Sequence, residues 1–280
     1  MMEVCAFVLS AIVHTKSNIH SGSIAQNYNK LMRQMKKILF ILTLIVPILA
    51  FTGCGGDDDE PSVPDQTLNV GQTYNIPADG IWDSANDLIA TVNGKTVKGV
   101  RVGSVVISNG ELSFDVTVTP TVTLFKDPCL DFGANAQTVK NAMKGYEYVG
   151  EDDDVITYMD RSNSVAYGYS FKNSKLSMSM VIAPSSIGST SRVAEHLAER
   201  YVPVTSEDDY IGMVSPDKKV LVIVMVKMQF GNPVYVIAFT ESTINTKSSS
   251  HEFDSLFKKI DNAIPGVTVK GGVVKESLGL

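Results

Sequence analysis

Cys129, His196 and His251 are the residues beyond the amino-terminal segment that could support nucleophilic catalysis. Cys129 would act as a nucleophile if one of the two histidines lay within hydrogen-bond reach of its sulfur. Both histidines fall on the polar sides of predicted helices, where we expect solvated side chains. We therefore expect Cys129 to be a small buried hydrophobic residue, and the sequence predicts no catalytic residues.

Two acidic runs, Glu151-Asp152-Asp153-Asp154 and Glu207-Asp208-Asp209, are candidates for binding calcium. Neither has the spaced carboxylates, glycine and terminal glutamate of a calcium loop, so we expect solvated turns. The sequence contains no HExxH, no zinc-type cysteine spacing, no phosphate-binding glycine loop and no GxSxG. We predict no metal, no cofactor and no enzymatic activity. A hydrolase with paired carboxylates remains an alternative, because such pairs cannot be recognised in one sequence.

Cys54 has the clearest chemical role. Lys36 and Lys37 precede an apolar run from Ile38 to Phe51, which as a helix spans about 21 Å, less than the roughly 30 Å hydrocarbon core. Phe51-Thr52-Gly53-Cys54 resembles the lipobox of bacterial lipoproteins, although Phe51 replaces the usual aliphatic residue. The resemblance implies that Cys54 is lipidated and anchors the protein to the outer membrane. The alternatives are an ordinary signal peptide with a bystander cysteine and a short membrane anchor.

The segment after Cys54, residues 54–65, begins with Gly55-Gly56 and an acidic run, Asp57-Asp58-Asp59-Glu60. Glycine and clustered like charge indicate a flexible, solvated tether. An acidic run just after the lipidated cysteine also resembles the surface-export signal of Bacteroidetes lipoproteins. The resemblance implies exposure at the cell surface, with an anchor facing the periplasm as the alternative.

Residues 1–53 are interpreted as an upstream extension and a signal peptide. The simplest account of the extension is a misassigned start codon, with translation beginning at Met32 or Met35. Processing at Cys54 would leave 227 residues and change the net charge from −6 to −10, because five basic residues and one acidic residue are removed. Such an acidic exported chain is a poor candidate for binding nucleic acid. Its cysteines form no disulfide framework.

Residues 66–120 are rich in short strands and turn signals, including the hairpin signal Asn93-Gly94. Together with that turn, several segments in order resemble a bacterial immunoglobulin-like domain of group 2: Val70-Gly71-Gln72-Thr73, Trp82-Asp83-Ser84, Ile89-Ala90-Thr91-Val92, Val97-Lys98-Gly99, Gly103 and Val116-Thr117-Val118-Thr119-Pro120. The resemblance implies an all-β sandwich. We expect Trp82, the only tryptophan, to lie in its core. The segment between Ile76 and Trp82 is shorter than in the family, so we expect one strand to be reduced.

Residues 121–264 predict an α+β domain, an antiparallel sheet backed by helices, followed by a tail at 265–280. Helical periodicity near 139–146, 192–201 and 253–264 alternates with strands in two α-β-β-β units. Val220–Val226 is apolar without alternation, which indicates a central strand covered on both faces. Leu176, Met178, Met180 and Ile182 alternate with serines, which predicts a strand with one wet side.

Tyrosines are concentrated in this domain, and two structural interpretations remain open. They form either a recognition surface for a protein or glycan, or a core with hydroxyls at its rim. The sequence favours a non-catalytic, lipid-anchored envelope protein that binds an extracellular ligand or partner protein, with residues 66–120 as a spacer. The alternative is an enzyme inhibitor or accessory lipoprotein, since the two units are similar in layout to β-lactamase-inhibitor-like proteins.

Lipidation at Cys54 can be tested directly in the producing cells. We expect Cys54→Ala to abolish metabolic labelling by palmitate, because the variant lacks the sulfur that carries the acyl chains. Cys129→Ala is the matched control and should label normally. Continued labelling of Cys54→Ala would contradict the lipoprotein interpretation.

Overall fold

The computed structural model describes residues 62–152, 154–242, 249–263 and 267–268. The predicted signal peptide, Cys54 and the acidic run after it lie outside these residues, as does most of the predicted tail. Within the described part, the fold is mostly β, with several antiparallel sheets and few helices. No helix in that part is long and apolar enough to cross a membrane.

The first module, residues 62–120, contains two small sheets. Its strands are β1 (Gln66–Asn69), β2 (Thr73–Asn75), β3 (Asp83–Ser84), β4 (Ala90–Asn93), β5 (Thr96–Gly99), β6 (Gly103–Ser108) and β7 (Ser113–Thr119). One sheet has the strand order β1-β7-β6-β3 and the other β2-β5-β4, and β1 pairs with β7 in parallel while the other pairs are antiparallel. The predicted hairpin at Asn93-Gly94 is confirmed, because it joins β4 to β5.

Trp82 lies in the core of this module, as expected, and is 5% exposed. Its ring meets that of Phe114 edge to face at 5.7 Å. The short segment before Trp82 is followed by a strand of only two residues, β3. The remaining buried side chains alternate along the longer strands β6 and β7, as the period of a strand requires.

The second module, which begins at residue 121, is built on one large sheet. Eight of its strands are β8 (Glu147–Asp152), β9 (Val155–Asp160), β10 (Val165–Lys172), β11 (Lys175–Pro184), β12 (Val202–Ser206), β13 (Ile211–Val214), β14 (Val220–Gln229) and β15 (Asn232–Glu241). They follow the order β12-β13-β14-β15-β11-β10-β9-β8, and all adjacent pairs are antiparallel. A ninth strand, β16 (Val267–Thr268), pairs with β14.

The helices are α1 (Ala136–Ala142), α2 (Thr190–Ala198) and α3 (Ser249–Ala263), and a short 3-10 turn occupies Ser185–Ile187. Each of α1 and α2 precedes a run of four consecutive strands rather than the three that were expected. The added strands are β8 and β12, which form the two edges of the eight-stranded path. Their aromatic and valine residues follow the helices too closely for a separate strand to stand out in the sequence.

One face of the large sheet packs against α1 and α2. The central strand β14 is confirmed as covered on both faces, since Leu221 to Met225 are all buried. The core on the α1 and α2 side includes Val139 of α1, Met143 at its C-terminal cap, Val193 and Leu197 of α2, and Tyr167, Tyr169, Val181, Val222, Val224, Ile237 and Phe239 of the strands.

The prediction that β11 has one wet side is wrong. Ser179 is fully buried, and its Oγ donates a hydrogen bond to the Cys129 carbonyl at 2.6 Å. A register shift between β10 and β11 pairs Leu176 with Phe171 and Met178 with Ser170, and Leu176 belongs to the core under α1 and α2. The serine is tolerated in the core because a backbone carbonyl accepts a hydrogen bond from its hydroxyl group.

Helix α3 packs on the sheet at Gly212, where β13 leaves no room for a side chain. A Cβ atom there would lie 2.7 Å from Phe253 Cδ1 and 2.7 Å from Thr205 Cγ2. Tyr210 stacks on Phe257 with ring centroids 4.9 Å apart, and its hydroxyl donates to Asp254 Oδ1 at 2.8 Å. The approach of α3 to the sheet therefore depends on a glycine at position 212.

We expect Gly212→Ala to lower the free energy of unfolding by about 1–3 kcal/mol, because the added methyl group overpacks the contact with Phe253. Gly168→Ala is the matched control, since its Cβ would be 3.9 Å from the nearest atom, Met180 Cβ. The control should be neutral or stabilising by roughly 0.4–1 kcal/mol, because alanine restricts the unfolded chain. Chemical denaturation measures both, and equal stabilities would contradict the proposed contact.

Candidate ligand-binding cleft

Helix α2 places a group of polar side chains against the segment that joins the two modules. Its first turn is capped by Ser189, whose Oγ accepts a hydrogen bond from Arg192 N at 3.3 Å. Val193 and Leu197 are buried against the sheet, as the helical spacing predicted. His196 and Arg200 border this stripe, so they reach residues 121–127 at the start of the second module.

Glu199 holds the start of the second module. Its Oε2 accepts hydrogen bonds from the backbone N–H groups of Thr121 and Val122, both at 2.9 Å, and the residue is 9% exposed. Its own carbonyl accepts a 2.7 Å hydrogen bond from Val102 N in the first module. Hydrogen bonds to a charged group contribute roughly 1.5–3 kcal/mol each, so Glu199 ties the modules together at the end of α2.

Arg200 is 5% exposed and its charge is balanced by one carboxylate. Its Nε donates to Asp127 Oδ1 at 2.8 Å, and its Nη1 donates to the carbonyl oxygens of Val122 at 3.0 Å and His196 at 2.9 Å. The side chain of Asp127 is half exposed. The Arg200 guanidinium is thus held in place by three hydrogen bonds, while the Asp127 carboxylate reaches solvent.

His196 is buried, which contradicts the expectation of a solvated residue. It is 1% exposed, its ring centroid lies 4.2 Å from that of Phe125, and its Nδ1 lies 3.3 Å from the Val122 carbonyl oxygen. Burial, with a smaller contribution from the Arg200 charge, lowers the pKa of His196 to about 3. The polar side of α2 faces residues 121–127 instead of water, which helical spacing alone does not reveal.

A cleft of about 360 Å³ lies between the two modules beside Arg200. Its apolar lining includes Ile89 and Val102 from the first module and Leu130, Tyr201 and Val220 from the second. Its polar lining includes Ser104, Asp127, Arg200, Ser215 and Asp217. Apolar walls with a few fixed polar groups are typical of small-molecule sites, and this volume is at the lower end of their range.

Asp217 remains a hydrogen-bond acceptor in this cleft. Burial raises its pKa, but hydrogen bonds from Ser215 Oγ and Lys219 N and the charge of Lys219 outweigh burial and lower the pKa below its ordinary value. Ser215 Oγ donates to Asp217 Oδ1 at 2.5 Å. An ionised carboxylate of this kind is suited to accept hydrogen bonds from a ligand.

The structure does not bring Cys129 and His196 into a catalytic pair. Cys129 is a partly buried residue packed against the core, and its backbone N–H donates to Tyr169 Oη at 3.3 Å. The Nδ1 atom of His196 contacts the backbone at Val122 and Leu124. His251 lies in α3, and its side chain is outside the described residues.

Glu151 and Asp152 are the last residues of β8, and Glu207-Asp208-Asp209 lies between β12 and β13. Glu151 accepts a hydrogen bond from Lys140 Nζ at 3.0 Å, and Glu207 accepts one from Thr205 Oγ1, also at 3.0 Å. Asp153 is outside the described residues. Across residues for which the structure gives side chains, no group of three or more His, Cys, Asp or Glu is placed to hold a metal ion.

Most of the tyrosines fill the core instead of forming an open face. Tyr158, Tyr167, Tyr169, Tyr201, Tyr210 and Tyr235 are each at most 6% exposed, whereas Tyr148 on β8 is 50% exposed. Burial raises the pKa of Tyr167 and of Tyr169, whose hydroxyls accept from the N–H groups of Lys126 and Cys129. Arg200 and Asp127 were not predicted as site residues from the sequence, although the position of Arg200 beside the helical stripe was a usable signal.

Comparison with known proteins adds no family or function. No family model matches the chain, and no curated protein and no solved structure shows significant similarity to it.

The buried His196 predicts a pH dependence of stability. Its folded pKa of about 3 lies below the ordinary value of 6.5, so as pH falls below 6.5 the unfolded chain binds a proton that the folded chain does not. The free energy of unfolding then falls by at most about 1.4 kcal/mol per pH unit until the folded pKa is reached. Above pH 6.5 the ring is neutral in both states and has no effect.

His196→Gln keeps a polar side chain but removes this titration. Between pH 7 and pH 4.5, urea denaturation should show the unmodified protein losing roughly 2–3 kcal/mol more stability than the variant. The same pH dependence in both proteins would contradict the assignment of a buried, neutral His196.

Proposed function

We propose that the protein is a non-catalytic, lipid-anchored protein of the cell envelope that binds an extracellular ligand in the cleft between its two modules. The observation that carries this proposal is the nine-tenths-buried Arg200, which lines the cleft and is fixed there by Asp127. The lipobox-like segment ending at Cys54 supports the anchor, and the acidic run after it supports exposure at the cell surface. Under this proposal, residues 54–65 are the tether.

We also infer the finer fold of each module. The first module is an immunoglobulin-like sandwich, supported by two sheets that enclose one core around Trp82 and Phe114. The second is an α+β domain of two repeated units, supported by the occurrence of a helix followed by four strands in both halves. The first module then contributes one wall of the cleft as well as acting as a spacer.

Hydrogen bonds between the modules fix the two walls of the cleft relative to each other, which favours binding. Glu199 joins both modules, and Asn86 Nδ2 of the first module donates to the Pro216 carbonyl of the second at 3.1 Å. A site whose walls are already held apart at the required distance loses little conformational freedom when a ligand enters. The ordering of these side chains is therefore a feature of the free protein.

An inhibitor or accessory protein that used the sheet face remains the alternative function. In that arrangement the central strands would present side chains to a partner, but residues 221–225 of β14 are buried and most tyrosine rings lie in the core. This observation favours the cleft over the sheet face. The hydrolase alternative would require a carboxylic acid that keeps its proton until it can give it to the leaving group, whereas the lowered pKa of Asp217 favours its ionised form.

The cleft can be tested by filling it. Ser104 is exposed and lines the cleft, so Ser104→Trp should exclude a ligand without disturbing a buried residue. Ser113→Trp, at an exposed position of the neighbouring strand β7, is the matched control. Native mass spectrometry after incubation with the low-molecular-weight fraction of the producing cells' medium detects the bound species.

We expect a ligand adduct on the unmodified protein and on Ser113→Trp, and at least a tenfold smaller adduct fraction on Ser104→Trp. Equal adducts on all three proteins would place the ligand elsewhere and contradict the cleft assignment. Consumption of a bound molecule and release of a product of different mass would instead favour the hydrolase.

A further inference from the structure

The first three strands of each half of the large sheet, β8–β10 and β12–β14, correspond at a spacing of 55 residues. Tyr148 pairs with Tyr158, and 55 positions later Pro203 pairs with Met213. A register shift follows at the same place in both pairs, between Tyr148 and Gly150 and between Pro203 and Thr205. One irregularity repeated at one spacing is independent support for equivalent halves.

The same correspondence relates the cleft to a second concave site, which we call the groove. The groove is lined by residues 145–147 and 159–163 and has a volume of about 530 Å³. At the 55-residue spacing, its Tyr146 corresponds to Tyr201 of the cleft and its Ser162 to Asp217. The first module supplies a wall of the cleft, whereas all residues that line the groove belong to the large sheet module.

We propose that the groove is a second binding site, distinct from the cleft, and that its ligand is a neutral saccharide. The site combines an accessible aromatic ring, Tyr146, with an adjacent donor and acceptor pair, Arg161 and Glu147. It does not depend on whether the cleft is occupied.

The charges around the groove balance, which favours a neutral ligand. Arg161 forms a two-pronged ion pair with Glu147, and both side chains are partly exposed, at 55% and 38%. Asp160 is the second anion, and Lys126, whose Nζ lies 5.0 Å from the centre of the Tyr146 ring, is the second cation. Because Arg161 and Glu147 already neutralise each other, a charged ligand gains little from either side chain, while hydroxyl groups can both accept from a guanidinium and donate to a carboxylate.

The polar groups of the groove are held by the turn between β9 and β10. Asp160 Oδ1 accepts from Ser162 N at 2.9 Å, and Asp160 Oδ2 accepts from Asn163 Nδ2 at 2.8 Å. Arg161 lies between Asp160 and Ser162 in this turn, so these hydrogen bonds fix the position of its backbone. Fixed polar groups beside an aromatic ring orient a ring-shaped ligand whose hydroxyls lie at its edge and whose C–H groups lie on its faces.

Tyr146 contributes both a ring and a hydroxyl. Its ring meets the buried Tyr167 edge to face at 5.5 Å, which fixes its orientation. Burial, with a smaller contribution from Asp160, raises the pKa of Tyr146, so its hydroxyl keeps its proton at neutral pH and remains a donor. The equivalent residue in the cleft, Tyr201, is 6% exposed, whereas Tyr146 is only partly buried, so the groove has the more accessible aromatic surface.

The whole processed chain is titrated with maltose, cellobiose and lactose as neutral probes, and binding is monitored by two-dimensional NMR. Spermidine and citrate are the cationic and anionic probes. Arg161→Ala and Glu147→Gln remove one partner each of the groove's ion pair. Arg192→Ala is the matched control, because Arg192 is similarly exposed, at 51%, and pairs only with Glu195 three residues away among the contacts described.

We expect at least one of the three disaccharides to bind saturably with a dissociation constant in the millimolar range or tighter. Arg161→Ala and Glu147→Gln should each weaken that binding at least tenfold, while Arg192→Ala and Ser104→Trp leave it unchanged. Folding of each variant is verified by the resonances of both modules, which should keep their positions except near the substituted residue.

Three results would overturn the proposal. The first is no saturable binding of any of the three disaccharides, and the second is tighter binding of spermidine or citrate. The third is saccharide binding that is lost in Ser104→Trp but retained in Arg161→Ala, which would assign the saccharide to the cleft and leave the proposed function of the cleft standing.

Discussion

The carboxylate of Glu199 determines how the two modules meet. It accepts hydrogen bonds from the backbone N–H groups of residues 121 and 122, where the chain leaves the first module. The backbone carbonyl of Glu199 accepts a hydrogen bond from Val102 N. A buried carboxylate is costly unless it is fully hydrogen-bonded, so the start of the second module must follow the path that satisfies it. Arg200, one residue later, is fixed by the same segment through Val122 and Asp127. The cleft exists because these two neighbouring residues hold both of its walls.

The sequence predicted the elements with strong periodicity and failed where context decides. The hairpin at Asn93-Gly94, the buried Trp82 and the doubly covered strand β14 all follow from local residue patterns, and the structure confirms them. The edge strands β8 and β12 were missed, because each begins within a few residues of a helix end. Ser179 was placed in solvent because its one compensating partner, the Cys129 carbonyl, is distant in sequence.

The candidate sites were less predictable than the fold, for a physical reason. His196 is a polar residue of the amphipathic helix α2 and Arg200 follows just after its end, where helical spacing alone would leave both side chains in water. Their burial depends on residues 121–127, more than seventy positions away in the case of Asp127 and Arg200. The groove shows the same limit, since Glu147 and Arg161 meet only because β8 and β9 pair. A single sequence identifies such residues as polar but not as partners.

The register shifts in β8 and β12 also affect how copies of the protein behave near one another. An uninterrupted edge strand can pair with the edge of another molecule and begin an ordered aggregate. In this sheet both outer strands of the eight-stranded path are interrupted, one next to Gly150 and the other next to Pro203, which lacks an N–H group to donate. Many copies can therefore crowd together on a small area without their sheets joining edge to edge.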